Sequence, residues 1–340
     1  LTDVSDLTQA QIAKDLDISQ STVSLVMANP TTKRVSDETR NRIFDYIHRV
    51  DPSFKPRRRN IGDICFLTPS ASFDSTSIYY TRLLDGVEAE AKELGLNLIF
   101  KRWQSREDFP EIFAKSNIAG IIHCGETTEE VIRQLQRFGP TVLLNYTFES
   151  MICNMVTIDN HGAIRQAMRH CYNMGHRRIG FVNNQLRCSP GHFLDRLGGY
   201  YEAIYTLGLP IRPDYVMGFD QQGAESLGEE KFIHQLLNMQ DHPTALVCAN
   251  DGIAISIMKA AVSVGLKLPE DLSVTGFDNM ETSREWRPAL TTIHQKREDM
   301  GRAAVALLTR KIMGNGSDIP EKVLCETELI VRESVARISI

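Results

Sequence analysis

Two hydrophobic patterns succeed one another along the chain. In the first sixty residues apolar positions recur at helical spacing, with Ile12, Ala13 and Leu16 on one segment, Val23, Val26 and Met27 on a second, and Ile43, Ile47 and Val50 on a third. Thr8 followed by Gln11 reads as a capping box, which predicts a first helix over Gln9 to Leu16. Asp17 and Ile18 turn the chain, and Ser19 is placed to cap a second helix. A third helix follows Ser36, with Asp37 and Glu38 favourable at its positive end. From Asp63 the pattern changes to short apolar runs (ICFL, NLIF, AGIIH, TVLLN, MVTID, RIGFV, ALVCA and LSVTGFD) separated by amphipathic stretches such as Leu83 to Leu94 and Ala163 to Met174. Strands this apolar belong to parallel sheets covered on both faces, and the alternation predicts doubly wound α/β architecture. The expected fold is a small all-α helix-turn-helix headpiece followed by an α/β core of two doubly wound parallel-sheet subdomains.

The length of 340 residues suits this division, being too long for one compact core. Apolar residues at 42% and charged residues at 24% match ordinary globular chains and exclude disordered, collagen-like and disulfide-scaffold classes. No uninterrupted apolar window is long enough to span a membrane. The opening LTDVSDLTQAQ lacks a basic stretch followed by an apolar run, so a cytoplasmic location is expected. Seven cysteines (Cys65, Cys124, Cys153, Cys171, Cys188, Cys248 and Cys325) are scattered and never spaced C-x-x-C, which predicts reduced core thiols and no metal site.

Charge changes the picture of the amino-terminal segment. Residues 1–60 hold ten Lys or Arg against eight Asp or Glu, whereas the remainder holds 28 against 35. The first segment is therefore the better partner for a polyanion, with Lys33-Arg34 in a loop and Arg57-Arg58-Arg59 in a linker. Its second helix turns Ser21, Ser24 and Leu25 away from the apolar face, flanked by Gln20 and Thr22. Small polar side chains without an acid suit close approach to base edges and phosphates in the major groove. Three short helices with a tight turn fit a DNA-binding module read by the second helix; a helical bundle without a nucleic-acid role fits the same pattern.

In open α/β sheets ligands bind at the carboxyl ends of strands. His123, Asn145, Asp159, Asn250-Asp251 and Asp278 follow or end the apolar runs. Any one alone reads more readily as a cap or turn residue than as a ligand contact; five at equivalent strand ends are harder to dismiss.

The segment IAKDLDISQSTVSLVMANP, followed by VSDETRNRI, resembles the headpiece of the LacI (lac repressor) family at Ala13, Ile18, Ser19, Thr22, Val23, Ser24, Val35, Ser36, Thr39 and Arg40. The resemblance implies DNA binding, with Gln20 and Ser21 reading bases, Thr8, Ser19, Ser24, Asn29 and Thr39 mostly positioning phosphates, and Thr22 a further DNA-binding candidate. Leu25 stands where the family usually has arginine, which removes a bidentate guanine contact and leaves an apolar surface suited to a thymine methyl. SFKPRRRNIGDICFL reaches the first strand without the family's usual hinge segment.

MGHRRIGFV, DRLGGYYEAI, ALVCANDGIAI, LPEDLSVTGFDN and PALTTIHQ occur in the order of the same family and of periplasmic sugar-binding proteins. This implies a periplasmic-binding-protein-like core with an effector pocket containing Tyr79, Tyr80, Leu83, His123, Asn145, Arg196, Asp220, Asn250, Asp278 and Gln295. Carboxylate, amide and guanidinium groups of this kind bind vicinal hydroxyls. Phe219 or Trp286 is a further candidate for an apolar wall, and His176 is expected to serve packing or a turn. The implied organisation is a headpiece and basic linker over 1–60, then an effector-binding and dimerisation core over 61–340. Its first subdomain takes about 61–160 and 294–321, its second about 161–293 and 322–340.

No phosphate-binding glycine loop, nucleophile elbow or H-E-x-x-H pair is present, so neither an enzyme nor a cofactor is expected. The expected function is a transcription regulator, repression being the commoner family outcome, acting as a homodimer on operator DNA and controlled by a small sugar-like effector. A core that only dimerises or binds protein, and a transport-type sugar receptor, are the alternatives.

Overall fold

The computed structural model describes residues 8–28, 35–50, 62–70, 78–114, 117–148, 150–184, 191–219, 228–314 and 318–339. The chain divides at Gly62 into a small amino-terminal unit and a large one.

The first unit contains α1 (Gln9–Leu16), α2 (Gln20–Ala28) and α3 (Asp37–Val50). Each begins on a hydroxyl that satisfies a free backbone donor. Thr8 Oγ1 accepts from the Gln11 amide at 3.2 Å, Ser19 Oγ from the Thr22 amide at 3.0 Å and Ser36 Oγ from the Thr39 amide at 3.2 Å. The expected capping box is only half made. Gln11 Nε2 donates forward to Asp15 Oδ1 at 2.9 Å, because a carboxylate one turn on is a stronger acceptor within reach. Asp17 closes α1 in the left-handed region at φ 52°, which sets the sharp turn into α2. Ile12, Ala13, Val23, Val26, Ile43 and Ile47 form the core of this unit. Val50, expected on the same face, is 40% exposed; it is the final residue of α3, a turn or more past the core positions.

The second unit runs β1 (Asp63–Pro69), α4 (Ile78–Glu93), β2 (Leu98–Trp103), α5 (Phe109–Ala114), β3 (Ile118–Cys124), α6 (Glu129–Leu135), β4 (Thr141–Leu144), β5 (Asn154–Ile158), α7 (Asn160–Asn173), β6 (Ile179–Asn184), α8 (Gly191–Thr206) and β7 (Val216–Phe219). It continues with α9 (Gly228–Leu237), β8 (Ala245–Cys248), α10 (Asp251–Ser263), β9 (Ser273–Asp278), α11 (Thr282–Glu285), β10 (Thr291–Gln295), α12 (Arg297–Ile312), β11 (Lys322–Cys325) and β12 (Thr327–Ile330). Two six-stranded sheets result, ordered β11-β5-β4-β3-β1-β2 and β12-β10-β9-β8-β6-β7. The two orders are the same order repeated, although no tandem repeat is visible in the sequence. In each sheet the direction of winding reverses, between β1 and β3 and between β6 and β8, and there the loops splay apart to leave a crevice.

The first sheet is wholly parallel. The second departs from the expected all-parallel pattern, since β12 runs antiparallel to β10. The chain passes between lobes at Asp159, Lys296 and Glu326. The expected boundaries at 293/294 and 321/322 are corrected accordingly. His294 and Gln295 complete β10 in the second sheet, and Lys322–Cys325 pair with β5 in the first. The ladder decides where a short segment belongs, and neither segment carries an apolar run long enough to announce it.

Cys65, Cys124, Cys153, Cys171 and Cys248 are buried thiols and Cys325 is half-buried; Cys188 lies outside the described residues. Among the described residues no cluster of His, Cys, Asp and Glu is arranged to hold a metal ion, and no helix is long and apolar enough to cross a membrane.

α4 and α12 cross in contact, and two glycines permit the approach. A Cβ on Gly301 would stand 2.2 Å from the Leu83 carbonyl oxygen, and one on Gly86 2.0 Å from that of Glu298. Gly301→Ala therefore forces the helices apart. It should destabilise the core by roughly 1–3 kcal/mol, as overpacking does, and lower the thermal midpoint followed by circular dichroism; an unchanged midpoint would refute the close crossing.

Candidate functional site

A cleft of about 290 Å³ opens at the carboxyl ends of strands from both sheets. Gly125 and Glu126 follow β3, Asn145 and Tyr146 follow β4, Asn250 follows β8 and Asp278 ends β9. Tyr79 and Tyr80 enter from the first turn of α4, and His192, Phe193 and Arg196 from α8. Asn145 and Asp278 have φ of 59° and 111°. Asn tolerates the left-handed region, but Asp278 is strained there, a cost tolerated where surrounding contacts hold the carboxylate in place.

Arg196 is the buried charge around which the second lobe's share is built. Its Nε donates to Asn160 Oδ1 at 2.9 Å and one terminal nitrogen to the Ala249 carbonyl at 2.6 Å. The guanidinium carbon lies 3.7 Å from the centroid of the Phe277 ring, so the cation rests on an aromatic face. Burial alone would push Asp278 far up; the guanidinium groups of Arg196 and Arg297 and the Gln295 amide oppose it, leaving the carboxyl at about 6.

Four groups then form one directed chain. Asn145 Nδ2 donates to the Tyr79 hydroxyl at 2.6 Å, which donates to Gln295 Oε1 at 2.9 Å. Gln295 Nε2 in turn donates to Asp278 Oδ1 at 2.5 Å. Arg297 donates to the Asp278 carbonyl at 2.9 Å and stands 5.1 Å from the centroid of the Tyr79 ring. On the other flank Thr147 Oγ1 donates to Asp195 Oδ2 at 3.2 Å. Tyr146 meets His192 edge-on with ring centroids 6.0 Å apart, and His192 lies 4.4 Å from Phe193. Burial and the neighbouring Arg196 push the His192 imidazole down to about 3, so it is neutral, and its buried Nδ1 has no partner among the described residues.

Of the ten residues expected in the pocket, Tyr79, Tyr80, Asn145, Arg196, Asn250 and Asp278 line the cleft, and Gln295 reaches it through its bonds to Tyr79 and Asp278. Two expectations are corrected. Leu83 is fully buried on α4, one turn deeper than Tyr79 and Tyr80. His123 lies inside β3 with its ring 6.0 Å from that of Trp103; it is fully buried, pushed down to about 3 by burial, and both ring nitrogens lack partners among the described residues. Strand β3 extends one residue past it, so the cleft begins at Gly125. Asp220 and the Phe219 side chain lie outside the described residues.

Trp286 follows α11 and does not line the cleft. Asp159 caps α7 through the Gly162 amide, and Asn250 caps α10 through the Ile253 amide, so Asn250 serves both the cap and the wall. His176 is a satisfied core histidine between Thr244 Oγ1 and the Ala336 carbonyl. Glu126, Tyr146, His192 and Phe193 were not among the expected residues. Tyr146 adjoins Asn145, and His192 and Phe193 lie one turn before Arg196 on the same helix, which is the signal that could have found them.

On α2 Gln20 and Ser21 are exposed and Thr22, Ser24 and Leu25 half-buried. Ser19 Oγ lies 2.7 Å from both Ser21 Oγ and Thr22 Oγ1, a hydroxyl cluster at the start of the helix. Thr8 and Ser19 are exposed and Thr39 half-buried. Asn29, Lys33-Arg34 and the Arg57–Arg59 linker lie outside the described residues.

Residues 168–335 match the family model of a periplasmic binding protein-like domain. Over 341 residues the chain is 28% identical to the HTH-type transcriptional repressor CytR of Escherichia coli K12, covering 96% of each. It is also 28% identical over 337 residues to the HTH-type transcriptional repressor PurR of Klebsiella pneumoniae strain 342, again covering 96% of each. Among solved structures, the transcriptional regulator CelR–cellobiose complex matches with TM-score 0.69 and 24% identity over 97% of this chain and all of the other. A transcription regulator from Lactobacillus plantarum matches with TM-score 0.69 and 25% identity over 81% of this chain and all of the other.

Asp251, the first residue of α10, is fully buried and accepts from the Met280 amide at 2.7 Å and the Thr292 hydroxyl at 2.5 Å. Burial and the nearby Asp278 outweigh those bonds and push it up to about 8. The native state thus holds a proton that the unfolded chain releases between its ordinary 3.8 and about 8, so the stability from this group falls as pH rises through that window and is lost above it. Asp251→Asn should flatten the decline of the urea midpoint between about pH 5 and pH 8; an unchanged slope would show that the group titrates normally.

Proposed function

We propose that this chain, a LacI-family transcription regulator, acts as a homodimeric repressor whose hold on operator DNA is set by a small, uncharged, polyhydroxylated effector in the cleft between its two lobes. The observation that carries the reading is the convergence, at the strand ends of both sheets, of a buried arginine, an aspartate, two amides and an aromatic wall in a single small cleft.

The cleft separates its chemistry into two sides. Tyr80, Tyr146 and Phe193 offer ring faces and edges to an apolar ring face, while Asn145, Asn250 and Asp278 carry the acceptors and donors that hydroxyl groups need. Asn250 spends its oxygen on the α10 cap, which leaves its Nδ2 for a ligand. Asp278 spends Oδ1 on Gln295, which leaves Oδ2. The volume of about 290 Å³ lies at the small end for ligand sites and suits a monosaccharide or nucleoside.

The headpiece reading rests on α2, whose exposed Gln20 and Ser21 suit base contacts and whose Ser19, Thr22 and Ser24 hydroxyls suit phosphates, with Thr8 and Thr39 flanking. A module this small buries too little surface for specific affinity alone, which favours two headpieces on a two-fold site. Ligand acts by favouring one lobe arrangement over another, since only differential affinity shifts the equilibrium. This reading makes the protein a binding module without a reaction of its own.

Titrating the protein with a panel of sugars and nucleosides, read by calorimetry, should find a ligand that Asp278→Ala no longer binds while its circular-dichroism spectrum stays that of the parent. Undiminished ligand binding in that variant would remove Asp278 from the site. On the DNA side, Ser21→Asp should weaken operator binding at least tenfold by setting a negative charge near phosphate. Leu25→Arg should shift one position of the sites selected from a random pool toward guanine; the parent consensus returned by both would overturn the placement of α2.

A further inference from the structure

The hydrogen-bond chain from Asn145 to Asp278 crosses from one lobe to the other through protein side chains alone. Asn145 follows β4 of the first sheet, and Tyr79 lies on α4, which packs with α12 against that sheet. Gln295 ends β10 and Asp278 ends β9, both in the second sheet. The Tyr79 hydroxyl is therefore the joint: it accepts from its own lobe and donates to the other. From these contacts we infer that Tyr79 is a positioning residue that latches the two lobes together, so that the effector is admitted to a cleft already biased toward closure.

Three features support the latch. The donors run head to tail, amide to phenol to amide to carboxylate, so each bond polarises the next and the series ends on the strongest acceptor available. The ring carrying the hydroxyl is fixed independently, by the Arg297 guanidinium over its face and by Tyr80 edge-on at 5.4 Å between centroids. On the far flank Thr147 and Asp195 supply a second tie.

The assignment separates Tyr79 from the ligand contacts. Its hydroxyl is already committed to Asn145 and Gln295, and a ligand that drew it away would leave the Gln295 oxygen unpaired in a buried site. Ligand recognition then falls to the groups with unspent capacity, the Asn250 Nδ2, the Asp278 Oδ2 and the His192 Nδ1. A lobe arrangement favoured in advance raises apparent affinity by the fraction of molecules already competent, and it narrows the change in operator affinity that ligand can produce.

The inference rests on the cleft reading above, but its test needs neither ligand nor DNA. Spin labels at Arg137 in the first lobe and Lys231 in the second, in the full chain with Cys188 and Cys325 changed to serine, report the distance between lobes by double electron–electron resonance. The parent should show one dominant population. Tyr79→Phe should bring up a second, with the ratio of the two shifted at least fivefold, and Gln295→Met, which removes the partner and keeps the volume, should do the same. The double variant should move little further than either single one, because both break the same bond. An unchanged distribution in both single variants, or shifts that add in the double variant, would overturn the latch. Loss of effector or operator binding without a change in distribution would likewise overturn it, by making Tyr79 an ordinary ligand contact. A shifted ratio in a protein that binds no member of the ligand panel would uphold the latch and sink the effector reading instead.

Discussion

A guanidinium cannot be left bare in a protein interior, and the cleft is organised by that constraint. Arg196 is 4% exposed. It demands an acceptor for each nitrogen it buries, and it finds them in Asn160 at the start of α7 and in the backbone carbonyl at the end of β8. Its remaining charge lies on the Phe277 ring and acts on Asp278, the next residue of β9. Three separate strand-to-helix junctions are thereby held in one place by one side chain. Removing one partner from such an arrangement leaves a buried charge or carbonyl uncompensated, at a cost on the order of 3–5 kcal/mol. The same electrostatics decide what the cleft can hold, because the cation is already answered within the protein.

The architecture around it is a repetition that the amino-acid sequence does not advertise. Both sheets wind in the same order and reverse at the equivalent strand, so each offers its carboxyl edge to the same crevice. Three passages of the chain at Asp159, Lys296 and Glu326 tie the lobes without a long linker. Short passages of this kind permit rotation of one lobe on the other while limiting translation, and a ligand or a hydrogen bond at the crevice can then set the angle. The headpiece is a separate small unit with its own core, and its helix starts are each settled by a single hydroxyl.

Buried titratable groups in the second lobe tell a consistent story. Asp251 and Asp278 are raised by burial, and His192 is lowered by it, so burial acts on each against its charged form.

The sequence by itself determined what depends on neighbours along the chain. Helical spacing located α1 to its end residues, serine and threonine marked the helix starts, and apolar runs marked most of the buried strands. Strand-end position picked out Asn145, Asn250 and Asp278, and family resemblance added Tyr79, Tyr80, Arg196 and Gln295. Only the tertiary structure decided the rest. His123 and Leu83 satisfy the same local rules as true cleft residues, yet one more residue of β3 and one more turn of α4 put them in the core, because depth is set by packing between elements. Gln295 and Lys322–Cys325 changed lobe because a ladder partner far along the chain claims a short strand more strongly than its own composition does. The relay through Tyr79 was invisible for the same reason, since its bond to Gln295 joins positions 216 residues apart.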